Sequence, residues 1–152
     1  MRKVFIFLSF IVLATLGFSQ DPNVYLTEAN NGQHFTMVTS TDIYGLNIFT
    51  ENYTSGNYPD NSSSTRWIIV DSGTCEGERC MSLYFTKFDI PEGDTLFIHD
   101  GIGLSAPIIF TANNVLHNLE GLTIFPSLLN TTETLTLELR TNGDGNGGRM
   151  AI

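Results

Sequence analysis

The chain has 152 residues, enough for about one ordinary domain, and carries seven Lys+Arg against sixteen Asp+Glu. Without Arg2 and Lys3, which fall in a leader, five basic residues face sixteen acidic ones, a balance of −11. That charge excludes nucleic acid as a natural partner, since a phosphate backbone needs a basic face.

The first stretch, MRKVFIFLSFIVLATLGFSQ, has a positive start at Arg2 and Lys3 and an apolar run over residues 4–16. Gly17 and Ser19 follow, small and two apart, so residues 1–19 read as a secretory signal of bacterial type cleaved before Gln20. The run is short of the roughly 20 residues that span a bilayer, and no second run approaches it, so no membrane insertion is expected after cleavage. Export places the chain at the cell surface or outside the cell, where close thiols oxidise.

Residues 20–48 form an N-terminal extension with one or two strands whose place is open. NYPDNSSST is polar and turn-rich. RWIIV (66–70) is nearly all apolar, as in a strand buried on both faces. MSLYFTKFDI (81–90) is rich in aromatic and branched residues, and IPEGD turns the chain. TLFIHDG (95–101) puts Leu96 and Ile98 on one face, with Phe97 and His99 opposite, and His99 is expected to be an exposed strand histidine. GLTIF is a shorter strand candidate. TLTLELR (134–140) alternates Leu135, Leu137 and Leu139 with Thr136 and Glu138, the period of a half-buried strand. TNGDGNGG then turns the chain, and GGRMAI opens a strand at its end, so the sequence reads as a piece of a longer polypeptide. With no capped helical stripe anywhere, the fold class is all-β, an antiparallel β-sandwich of jelly-roll type.

Cys75 and Cys80 are the only cysteines, in CEGERC. Zinc needs four ligands, and His34, His99 and His117 lack ligand spacing. A redox switch needs an electropositive setting, whereas Glu76 and Glu78 supply the opposite. A Cys75–Cys80 disulfide at a hairpin tip is the reading that export and the flanking strands favour. Its small loop would contribute about 2 kcal/mol.

Five phrases resemble the CUB domain, an extracellular β-sandwich module, in that family's order: SGNYPDN, RWIIV, LYFTKFDI, GDTLFIHDG and LTLELRTNGDGNGGRMAI. The resemblance covers residues 49–152. The family's usual disulfide framework is absent, because no cysteine follows Cys80. Many CUB domains bind calcium between loops. Carried over, the resemblance implies Tyr58, Asp94, Asn142 and Asp144 as ligands, with Asn146 nearby and Asp89 or Glu92 in place of the family's Glu. Hard cations want several converging oxygens, which suits such a set. The same residue types also dominate ordinary turns.

No Gly-x-Ser-x-Gly elbow or His-Glu-x-x-His helix occurs, and Asp89 and Asp94 read as turn carboxylates rather than a glycosidase pair. NYT, NSS and NTT, at Asn52, Asn61 and Asn130, match the glycosylation pattern but matter only in a host that glycosylates. The expected function is a non-catalytic binding or adhesion module for an extracellular protein or glycan. A carbohydrate-binding sandwich using Tyr53, Tyr58 and Phe97, or an accessory domain of a secreted hydrolase or peptidase, is the alternative.

Overall fold

The computed structural model describes residues 23–36, 45–73 and 81–152. The leader and both cysteines lie outside these described residues, and with them the cleavage and disulfide expectations.

The chain is an all-β sandwich. β1 (Asn23–Leu26), β3 (Asn47–Thr50), β11 (Arg149–Ala151) and β6 (Lys87–Asp89) form one sheet in the order β1-β3-β11-β6. β2 (Gln33–Thr36), β4 (Ser63–Asp71), β10 (Thr134–Asn142), β7 (Thr95–His99) and β8 (Ile108–Ala112) form the other, in the order β2-β4-β10-β7-β8. β5 (Leu83–Tyr84) pairs only with β9 (Thr123–Ile124). The expected strand over 81–90 is therefore two short strands in two different sheets. Between them Phe85 N–H bonds Leu122 and Thr86 N–H bonds Ala151, so the backbone changes partner.

β10 is the spine of its sheet. It pairs antiparallel with β4 from Thr134↔Asp71 to Asn142↔Ser63, and with β7 from Thr136↔His99 to Arg140↔Thr95. Leu135, Leu137 and Leu139 consequently share one face with Ile68, Val70, Leu96 and Ile98, and meet Leu26, Ile48, Phe88 and Met150 of the facing sheet. The antiparallel expectation holds for these strands but not for the first two. β1 runs parallel to β3, and β2 runs parallel to β4, so each sheet is mixed. Residues 23–36 thus belong to both layers of the sandwich. The terminal GGRMAI strand lies inside its sheet, between β3 and β6. No helix among the described residues is long and apolar enough to cross a membrane.

The outward face of β10 departs from the half-buried pattern: Thr134 to Leu139 are all buried. The loop after β7 accounts for part of this. Thr136 Oγ1 donates to the Gly101 carbonyl at 2.7 Å and accepts Gly103 N–H at 2.8 Å, which draws the loop over the sheet.

Candidate functional site

One end of the sandwich gathers the residues just outside β4, β7, β10 and β11. Tyr58 and Asp60 precede β4, Asp94 precedes β7, Asn142 ends β10, and Gly143 to Gly148 connect β10 to β11. Tyr58 is buried, and its hydroxyl donates to Asp94 Oδ2 at 2.6 Å. Asp94 Oδ1 accepts Asn142 N–H at 2.9 Å, and its carbonyl accepts Asn113 Nδ2 at 3.1 Å. Asp60, also buried, takes Gly143 N–H on Oδ1 at 2.8 Å and Asp144 N–H on Oδ2 at 3.1 Å. Its own carbonyl accepts Gly145 N–H at 2.7 Å. Asp144 closes the turn, accepting Asn146 N–H on Oδ1 and Asn142 Nδ2 on Oδ2 at 2.8 and 3.0 Å.

The glycines let the backbone come this close. Gly143 has φ +83°, and a Cβ there would strike Ser62 and Ser63 backbone. A Cβ on Gly147 would collide with the Tyr58 carbonyl oxygen. The Gly148 carbonyl accepts Tyr58 N–H at 2.9 Å, and the Gly147 carbonyl accepts Asn57 Nδ2 at 2.6 Å.

The electrostatics follow mainly from burial, with the Arg66 guanidinium 5.8 Å from the Tyr58 ring centroid. Burial pushes the Tyr58 hydroxyl pKa up, and the Asp94 carboxylate beside it pushes further. Burial also raises Asp94. The Tyr58 and Asn142 hydrogen bonds pull it down, while the charges of Asp60 and Asp144 push it up again. Asp144 is held below the usual carboxylate range by the Asn142 and Asn146 donors.

Of the residues named from the sequence, Tyr58, Asp94, Asn142 and Asp144 meet here, and Asn146 joins through its N–H. Asp89 bonds Asn114 Nδ2 at 2.9 Å instead, and Glu92 is exposed. Tyr53 stacks on Phe49, with ring centroids 4.9 Å apart, and Phe97 lies under the Arg140 guanidinium at 4.5 Å. Tyr58 is too buried to offer a sugar-stacking face. Asp60 is the residue that sequence reasoning missed. Its signal was a carboxylate two residues after Tyr58, inside a phrase that reads as a plain turn.

The fit to a hard cation is partial. Asp60, Asp94 and Asp144 bring three carboxylates, and the hydrogen bonds they accept come from backbone N–H, amide and hydroxyl groups. Each carboxylate oxygen retains a further lone pair. Yet among the described residues no three His, Cys, Asp or Glu side chains converge at metal-binding spacing.

A second polar cluster corrects the expectation for His99. That residue is 1% exposed, and its Nε2 lies 2.8 Å from Glu138 Oε2, itself equally buried. Its Nδ1 faces the Ala106 carbonyl at 3.0 Å. Arg140 donates to Glu138 from Nε at 2.6 Å and from Nη2 at 3.1 Å. The trio ties β7, its following loop and β10 together.

No family model matches the chain, and no curated protein matches it.

Proposed function

We propose that this chain is a secreted or surface-displayed, non-catalytic binding module of CUB type. On this reading it recognises an extracellular protein or glycan through the loop end built on Tyr58, Asp60 and Asp94. The observation that carries the reading is the way Asp60 and Asp94 lock three separate loops by direct hydrogen bonds. Loops fixed on a rigid sheet are the usual place for recognition. The five CUB-like phrases and the leader support the same assignment.

Calcium assistance is part of the proposal. Asp94 is raised by burial and by its acidic neighbours, and a divalent cation at the loop end relieves that repulsion. Tyr58 and Asp94, whose side chains touch, would supply two of its oxygens, with waters completing most of the six to eight that calcium takes. Thermal unfolding of the mature chain tests this. Millimolar calcium is expected to raise the melting temperature, and Asp94→Ala to abolish the rise. An unchanged melting temperature with calcium would remove the cation from the proposal. Failure of the mature chain to retain any extracellular protein or glycan would remove the binding module itself.

A further inference from the structure

Arg66 stands on β4 beside the same loop end, its side chain only 5% exposed. Nη2 donates to the Pro59 carbonyl at 2.9 Å. Nε and Nη1 are buried and meet no hydrogen-bond acceptor among the described residues. Buried donors without acceptors are rare, and each invites an explanation. Glu51 Oε2 lies 3.6 Å from Nε, and Glu28 Oε1 lies 3.9 Å from Nη2. Both are too far for hydrogen bonds but close enough to offset the guanidinium charge.

The side chains of Arg66, Glu28 and Glu51 belong to the wall of a cavity of about 320 Å³, together with Thr27, Pro59 and Asn61. That lies within the size range of small-ligand sites. A second cavity of about 450 Å³ shares Thr27 and Glu51 with the first and reaches Tyr25. Tyr25, Phe49 and Tyr53 form a row of half-buried rings, with centroids 5.8 and 4.9 Å apart.

The geometry points to a site for a neutral saccharide unit, whose neighbouring hydroxyls accept from Arg66 and donate to Glu28 and Glu51. A hydroxyl is both donor and acceptor, so it can satisfy both kinds of wall at once. A carboxylate or phosphate suits Arg66 but faces two glutamates and a chain of strongly negative charge. A cationic group suits the glutamates but faces a buried guanidinium. Tyr25, in the wall of the adjoining second cavity, offers an aromatic ring for the C–H face of a sugar. This inference rests on reading the loop end as an extracellular binding surface, and it requires no cation at Asp94.

The test is a titration of the mature chain, with ¹⁵N-labelled arginine side chains and EDTA present, against neutral gluco-, galacto-, manno- and xylo-oligosaccharides. Acetate, galacturonate and a lysine-rich peptide serve as comparators, and Arg66→Lys assigns the Arg66 Nε–H resonance. At least one neutral oligosaccharide is expected to move that resonance saturably, and Glu51→Gln to weaken the binding about tenfold while the chain stays folded. An unmoved resonance across the neutral panel overturns the inference. So does movement by acetate and galacturonate alone, which would mark a carboxylate site, or movement by the peptide alone. Saccharide binding that spares the Arg66 resonance and ignores Glu51→Gln overturns the Arg66 site while leaving the binding module standing.

Discussion

Asp94→Ala is expected to destabilise the fold by about 3 kcal/mol, and Asp94→Asn by less than about 1 kcal/mol. The carboxylate is 1% exposed and accepts two hydrogen bonds, from the Tyr58 hydroxyl at 2.6 Å and from Asn142 N–H at 2.9 Å. Alanine removes both acceptors. The Tyr58 hydroxyl then stays buried without a partner, which costs about 1–3 kcal/mol, and the charge-assisted bond to Asn142 is lost as well. Water can reach exposed Asn142 and recover part of the second loss. Asparagine behaves differently. Its Oδ1 can accept Asn142 N–H, its Nδ2 can donate to the Tyr58 oxygen, and no charge is buried.

The pH dependence separates the two substitutions further. The folded-state pKa of Asp94 is raised, so the folded chain holds this proton at a pH where the unfolded chain has released it. The stabilisation from the protonated form is complete below the ordinary aspartate value near 3.8 and is lost as pH rises through the folded value. Asp94→Asn mimics the protonated form, so it should gain on the wild type between acid and neutral pH. Urea unfolding followed by the fluorescence of Trp67, the single tryptophan, measures all three chains. Equal losses for alanine and asparagine, or an alanine loss under about 1 kcal/mol, would refute the reasoning.

Glu138→Ala leaves buried His99 without its carboxylate partner and should cost about 1–3 kcal/mol in the same urea assay, half-exposed Arg140 being free to turn to water; a loss under about 1 kcal/mol would count against a structural role. Asp100 is the opposite case to Asp94 in pH: burial pushes it up, but the Ser127 and Asn130 hydrogen bonds outweigh this and hold it low. Its stabilisation is present above about pH 3.8 and is lost as pH falls through the folded value, so Asp100→Asn should flatten the acid limb of the stability profile. Gly147→Ala drives a methyl into the Tyr58 carbonyl and should lower the melting temperature by about 10 °C or prevent folding. Mass spectrometry of the unreduced chain should show the Cys75–Cys80 pair two hydrogens lighter than two thiols, whereas free thiols would reopen the redox reading.

The parts of the fold legible in the sequence were those where periodicity and burial agree. Leu135, Leu137 and Leu139 alternate cleanly and all enter the core, and RWIIV is buried across Ile68, Ile69 and Val70. The parallel pairing of β1 and β2 was not legible, because NVYL and QHFT are four residues each and their partners lie 24 and 35 positions away. Polar letters misled in the strand cores. His99, Thr136 and Glu138 read as outward residues, yet the loop after β7 and mutual hydrogen bonds make burial tolerable. Nothing local in HDG or TLEL announces a partner 39 residues away.

The candidate site divides in the same way, and strand register supplies the reason. Asn142 pairs with Ser63 across β10 and β4, and Arg140 pairs with Thr95 across β10 and β7. Those two pairings put the residues just before β4, just before β7 and just after β10 at one end, so Asp60, Asp94 and Asn142 to Asp144 must meet. A one-residue slip of β10 would turn Leu135, Leu137 and Leu139 out of the core, and it would carry Asn142 away from Asp94 at the same time. The hydrophobic alternation that makes β10 recognisable is therefore what assembles the loop end. Asp60 and Arg66 escaped notice because their partners are set by register rather than by neighbours. Asp60 holds backbone 83 and 84 residues away, and Arg66 sits at the polar start of a strand whose apolar remainder draws the eye. A sequence that fixes one strand's register this strongly commits its flanking turns to one another, whatever ligand those turns then meet.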